Sequence, residues 1–114
     1  MDIMWGNPSV NEYHEFKLKN VHIYCDAQSV EVSGNEISLT RLEYQFLVYL
    51  AENENKAISR EELLNVIWQI EYPIETRATD DTVKRLRKKL RAANAQIQIE
   101  TIRGFGFIIR KNKA

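Results

Sequence analysis

RATDDTVKRLRKKLR, residues 77–91, holds seven of the chain's sixteen Lys and Arg residues. Thr79, Val83, Leu86, Leu90 and Ala93 recur at the spacing of one α-helical face. Asp81, Lys84, Arg85 and Lys88 fall opposite them, and Arg87 flanks. Asp80 and Asp81 stand in the first turn and the cations follow, the order that the helix dipole favours. A helix that enters a DNA major groove needs an apolar stripe for its own domain and a long cationic face for base edges and phosphates. Arg can bond guanine through two donors or clamp a phosphate, whereas Lys supplies a point charge. A solvated surface helix can carry the same pattern, so the neighbouring segments decide between the two.

Downstream, Gln98–Ile102 reads as a strand, Arg103–Gly106 as a turn and Phe107–Arg110 as the returning strand. Gly104 and Gly106 are expected to supply positive φ in a tight turn, with Arg103 at its tip or flank. Ile102, Phe105 and Phe107 are expected to pack. RGFGFI (103–108) also matches the aromatic strand of RNA-recognition domains. That fold needs an aromatic residue where Arg110 stands, and a further helix and strand where only four residues follow. The segment therefore reads as a basic wing.

Upstream, TRLE (40–43) has the capping-box pattern, followed by Leu42, Phe46, Tyr49 and Leu50 on one face. Asn53 or Asn55 is expected to close that helix in the left-handed conformation. SREE (59–62) is a second capping box, and Leu63, Leu64, Ile67 and Trp68 form the stripe of a second helix that Tyr72-Pro73 ends. Between Phe16 and Ser38, alternation at Val21, Ile23 and Cys25, and a turn at Ser33-Gly34-Asn35, predict short antiparallel strands. Residues 1–15 lack periodicity and read as a tail or linker before a domain at 16–114. The fold class is α+β: an antiparallel β-platform, three helices and a C-terminal hairpin.

The formal charge of zero hides a division. Residues 77–114 hold eleven Lys/Arg against three Asp/Glu, while residues 1–76 hold five against thirteen. The basic part predicts a nucleic-acid partner, and the acidic part is expected to face away from it, toward protein partners. The longest apolar run, Phe46–Ala51, is too short to cross a bilayer, and the start shows no signal-peptide pattern. The single Cys25 suits a reducing, cytoplasmic setting. His14, His22, Cys25 and Asp26 lack the spacing of a closed zinc site. No nucleophile set, phosphate-binding glycine loop or dinucleotide pattern stands out, and capping accounts for Glu43 and Glu62. No enzyme, metal or cofactor is expected.

The order of these segments resembles the effector domain of OmpR/PhoB-type response regulators, from about Phe16 to Asn112. ISLTRLEYQFLVYLAENENKAISREELLNVIW (37–68) resembles LT-x-x-E-x-x-LL followed by SRE-x-LL-x-x-VW. RATDDTVKRLRKKL (77–90) resembles R-x-VD-x-HI-x-RLRKKL, and ETIRGFGF (100–107) resembles the TVRG-x-GY wing. The resemblance implies a winged helix-turn-helix that binds specific double-stranded DNA, with the third helix in the major groove and the hairpin on flanking DNA. By position it implies Arg85 and Arg87 in the groove, with Thr82 and Lys84 beside them. It places Trp68, Arg77, Thr101 and Arg103 on the DNA backbone. Lys88 and Gly104 complete the DNA-binding set.

The resemblance further implies that Glu71, Tyr72, Pro73, Ile74, Glu75 and Thr76 form a loop able to contact RNA polymerase. Pairs would bind head-to-tail on direct repeats. The chain departs from the family pattern at Thr82, where His is common, at Phe107, where Tyr is usual, and at Gln69, where Gly often follows the Trp. Asp81 adds a negative charge to the outer face. Without a receiver domain in these residues, three contexts fit: an excised effector domain, a stand-alone regulator, or the cytoplasmic part of a ToxR-type membrane regulator. A protein-interaction module of the same fold is the alternative to DNA binding.

Overall fold

The computed structural model describes residues 15–70 and 77–110, without the side chains of residues 16, 66–70 and 77–78. The tail expected at 1–15 lies outside the described residues apart from Glu15, which begins the first strand. Four strands come first: β1 (Glu15–Leu18), β2 (Val21–Tyr24), β3 (Ser29–Val32) and β4 (Asn35–Ile37). They pair antiparallel with their neighbours in the order β1-β2-β3-β4. The alternation is that of a half-buried sheet: Val21, Ile23, Val30 and Val32 enter the core. The β3–β4 loop has two residues, Ser33 at φ 52 and Gly34 at φ 85. Positive φ at both central positions is what a two-residue type I′ hairpin needs to match the strand twist.

Helix α1 (Arg41–Glu52) follows. Both halves of its expected capping box form: Glu43 N–H donates to Thr40 Oγ1 at 3.1 Å, and Thr40 N–H to Glu43 Oε1 at 3.0 Å. Asn55 takes the left-handed position after the helix, at φ 70. Ile58–Ser59 then forms a two-residue strand, β5, which no periodicity could reveal. Helix α2 (Arg60–Ile70) starts from Ser59, whose Oγ accepts the Glu62 N–H at 3.0 Å. The expected return bond is not made among the described residues, because the Glu62 carboxylate accepts the Tyr49 hydroxyl of α1 instead.

Helix α3 (Arg77–Ala92) is closed by Asn94 at φ 64, with Ala95 N–H reaching back to Leu90 O at 2.9 Å. This six-to-one bond satisfies a carbonyl that the helix end leaves open. Strands β6 (Ile99–Ile102) and β7 (Gly106–Ile109) form the hairpin, and β5 joins its free edge to give the order β5-β7-β6. The wing is thus the outer part of a three-stranded sheet. One core unites the platform residues with Phe46, Leu47 and Leu50 of α1, Leu63 of α2, Val83, Leu86 and Leu90 of α3, and Phe107 and Ile109. A polar staple joins the ends of the domain. Asn20, between β1 and β2, donates to Asn94 O at 3.0 Å and accepts the Gln96 N–H at 2.7 Å.

Candidate nucleic-acid interface

The apolar stripe of α3 lies where its spacing puts it: Thr79, Val83, Leu86 and Leu90 are buried. Thr82 joins them at 1 % exposure, which corrects its expected place beside the groove residues. It stands three residues after Thr79 and four before Leu86, so it shares their side of the helix. Lys84, Lys88, Asp81 and Arg91 are exposed on the opposite side. Arg91 belongs to this surface, although neither the motif nor the opposite-face spacing singles it out.

Both flanks of the helix are held by its own cations. On one side Arg87 turns to the hairpin, with Nε donating to Ile99 O at 2.9 Å and Nη2 to Thr101 Oγ1 at 3.0 Å. The guanidinium fork spans two acceptors in a way that an ammonium cannot. Arg87 and Thr101, expected separately on groove and backbone, therefore meet each other. On the other side Lys89 Nζ donates to Glu43 Oε1 at 2.7 Å, and Arg85 Nε lies 3.7 Å from Glu43 Oε2.

Glu43 is 1 % exposed and does more than cap α1. Burial on its own would raise its pKa. The hydrogen bonds from Lys89 and the Thr40 backbone, with the charges of Lys89 and Arg85, outweigh burial and hold the carboxyl below its ordinary range. A carboxylate with a depressed folded-state pKa stabilises the fold above its unfolded value, and that stability is lost as pH falls through the folded one. Glu43→Gln should therefore be less stable than wild type at pH 7, with the gap narrowing on acidification below about pH 4. Urea midpoints at both pH values check this. A gap of equal size at pH 3 would show that the carboxylate charge contributes nothing.

The hairpin turn is tight. Ile102 pairs with Gly106, so Arg103, Gly104 and Phe105 form the loop, closed by Phe105 N–H to Ile102 O at 2.9 Å. Gly104 sits at φ 74, the third position of this turn, where a type II geometry needs positive φ. Gly106 corrects the expectation of a second positive φ. It is a strand residue, and a Cβ there would lie 1.9 Å from Ile58 O. Arg103 is exposed at the tip. Phe107 is buried as expected, whereas Phe105 is 47 % exposed beside Arg103, contrary to the expectation that it packs.

Arg60, a residue that no sequence pattern singles out, joins the two basic elements, α3 and the hairpin. Its N–H bonds Phe105 O at 3.1 Å, its Nε pairs with Asp80 Oδ1 at 2.8 Å, and its guanidinium lies 5.0 Å from the Phe107 ring centre. One residue at the start of α2 thus fixes the wing tip and the first turn of α3. Its charge is paired within the chain, as is that of Arg110, which pairs with Glu100 at 2.9 Å on the surface. The side chains of Trp68 and Arg77, and the loop Glu71–Thr76, lie outside the described residues. His22 stands in a hydrogen-bonded row on the platform, 2.7 Å from Glu15 Oε1 and 3.1 Å from the Tyr24 hydroxyl.

Residues 34–109 match the family model described as "Transcriptional regulatory protein, C terminal". The chain belongs to this family. It is a family of transcriptional regulators and not of enzymes. The response regulator ArlR of Staphylococcus epidermidis is 41 % identical over 93 residues, which cover 82 % of this chain and 42 % of that protein. ArlR of Staphylococcus aureus is 42 % identical over the same shares. The chain thus spans less than half the length of the curated relatives it matches. Among solved structures, the AdeR DNA-binding domain in complex with an intercistronic region superposes with a TM-score of 0.77 at 27 % identity, over 85 % of this chain and all of that one. The Thermotoga maritima OmpR/PhoB homologue DrrB gives 0.74 at 32 %, over 85 % of this chain and 44 % of that one. The fold is therefore the winged helix of response-regulator effector domains, as the motif order implied.

Proposed function

We propose that this chain is the DNA-binding effector domain of a two-component response regulator, reading double-stranded DNA with α3 and gripping flanking DNA with the wing. One observation carries the reading. The cations of this region are sorted: Arg60, Arg87, Lys89 and Arg110 are tied within the domain. Lys84, Lys88, Arg91 and Arg103 stand exposed with no ion pair among the described residues. Uncommitted cations on a helix and an adjoining hairpin match the geometry of phosphate and groove contact. AdeR, of the same fold, was solved on an intercistronic region.

Within this reading Arg85 reads bases, Lys84, Lys88 and Arg103 meet phosphates, and Arg87 with Thr101 sets the angle between helix and wing. Gly104 shapes the turn that presents Arg103. Trp68 and Arg77 are assigned to the DNA backbone, and Glu71–Thr76 to RNA polymerase, by position in the family pattern. Copies would bind head-to-tail on direct repeats, in the cytoplasm, under control of a receiver domain on the same polypeptide. None of the described helices is long and apolar enough to cross a membrane.

Selection of bound duplexes from a random pool, followed by titration of the winner at several salt concentrations, tests the proposal. Arg85→Ala should cost on the order of 1–3 kcal/mol and relax preference at one base position. Arg103→Ala should weaken all sequences alike and reduce the salt slope by about 1. A wild-type protein that enriches no sequence and binds no duplex at low salt would exclude this function.

A further inference from the structure

Glu43 stands where α1 meets α3, and its two oxygens are used unequally. Oε1 accepts the Thr40 N–H at 3.0 Å and Lys89 Nζ at 2.7 Å. Oε2 is buried without a hydrogen bond, and Arg85 Nε approaches it only to 3.7 Å. Arg85 is 61 % exposed, so it is drawn toward this oxygen from the solvent side rather than buried against it. At 3.7 Å this is an ion pair without a hydrogen bond, so the Arg85 guanidinium still has two donors to offer a guanine. Lys84 and Lys88, on the open side of the same helix, have no ion pair among the described residues.

A helix lined with cations has an intrinsic problem. Each cation that reaches a phosphate releases counterions on any DNA sequence, so every added contact strengthens specific and non-specific binding together. Selectivity improves when some cations are withheld from phosphates and others are aimed at bases. A fixed anion at the helix flank can do both. It must be buried, so that water does not screen it, and tied to the backbone, so that it cannot follow its partners outward. Glu43 meets both conditions through its 1 % exposure and the Thr40 cap.

Resting on the DNA-binding reading above, we infer that Glu43 is a positioning residue for specificity. It withholds Lys89 from the phosphate backbone and orients Arg85, so that base contact rather than bulk charge decides affinity. Lys89 lies within the cationic run yet adds nothing to phosphate binding. Arg85 keeps two donors to offer a guanine while its Nε side faces the carboxylate.

The test uses two duplexes, one recovered by wild type from a random pool and one of unrelated mixed sequence, each titrated from low to high salt. Glu43→Gln keeps an oxygen able to accept the Thr40 N–H but removes the charge. It should bind the unrelated duplex several-fold more tightly at low salt, with a salt slope steeper by roughly 1–2. The preference for the selected duplex should shrink. Wild-type slopes, or a uniform weakening on both duplexes, would overturn the inference.

Lys89→Gln and Lys84→Gln provide a second measurement that does not depend on how Glu43→Gln folds. On the unrelated duplex, Lys89→Gln should leave the slope unchanged, while Lys84→Gln should lower it by about 1. Equal losses from both lysines would overturn the withholding of Lys89. A wild type that binds neither duplex overturns the DNA-binding reading and this inference with it. A wild type that binds, joined by a Glu43→Gln slope equal to its own, overturns this inference alone.

Discussion

Gly106→Ala should lower the melting temperature by roughly 10–20 °C, corresponding to a loss of about 3 kcal/mol or more. The added Cβ would meet Ile58 O at 1.9 Å, Ser59 Cα at 2.8 Å and Ile58 C at 2.9 Å, all of them backbone atoms. No rotamer change can relieve such contacts, so β5 must part from β7. Parting breaks the pairs Ile58 with Phe107 and Ser59 with Gly106, and it frees the start of α2 from the wing. Phe107, buried under Arg60, loses its seat. Gly104→Ala is the control. Its φ of 74 is strained for alanine, but a Cβ there meets nothing within 4 Å, so the cost should stay near 1–2 kcal/mol. Thermal and urea unfolding of the two variants decide the matter. A Gly106→Ala protein as stable as Gly104→Ala would mean that the β5–β7 contact is not what demands glycine.

Arg87→Ala should cost about 2–3 kcal/mol of stability and weaken binding to every DNA sequence by on the order of tenfold or more, without altering sequence preference. Its two hydrogen bonds are charge-assisted and join α3 to β6, the one to Ile99 O half-buried and the one to Thr101 Oγ1 exposed. Removing the side chain leaves Ile99 O and Thr101 Oγ1 without this donor, and the wing is then free to swing relative to the helix. DNA must reorder the wing on binding, so affinity falls whatever the bases are. Arg87→Lys should recover less than half of the stability, because a single ammonium cannot span both acceptors in plane. Melting curves joined to a base-by-base substitution series separate the outcomes. Unchanged stability with a changed preference at one position would make Arg87 a base reader instead.

The long periodic elements were legible in the sequence because burial imposes their spacing. Val83, Leu86 and Leu90 on α3, and Val21, Ile23, Val30 and Val32 on the platform, are buried where the pattern put them. Thr40–Glu43 and Asn55 were legible through short-range hydrogen bonding and backbone conformation, which depend on few residues. The failures share a cause: they depend on what a distant part of the chain brings near. β5 is two residues long and exists only because β7 lies beside it. Thr82 looks polar enough for a groove, yet it sits at the edge of the core-facing arc. Glu43 reads as a cap because its cationic partner lies 46 residues away. Phe105 looks like a packing residue until the turn leaves it outside the sheet.

The charge division was also coarser than the molecule. Acidic residues were expected to face away from the basic surface, and Glu43 reaches into its flank. Asp80, in the basic segment, is paired by Arg60 from the acidic one. Counting charges along the chain locates the surface. Knowing which charges are already satisfied tells how many of them a phosphate backbone will feel.

Asn20 ties the platform to the end of α3. Its amide grips Asn94 O and Gln96 N–H, just past the end of α3, and Ser33 Oγ on the next hairpin of the platform at 2.9 Å. The platform is therefore hydrogen-bonded directly to the residues that follow α3, in addition to the core it shares with that helix, and replacing Asn20 with alanine would remove all three bonds at once.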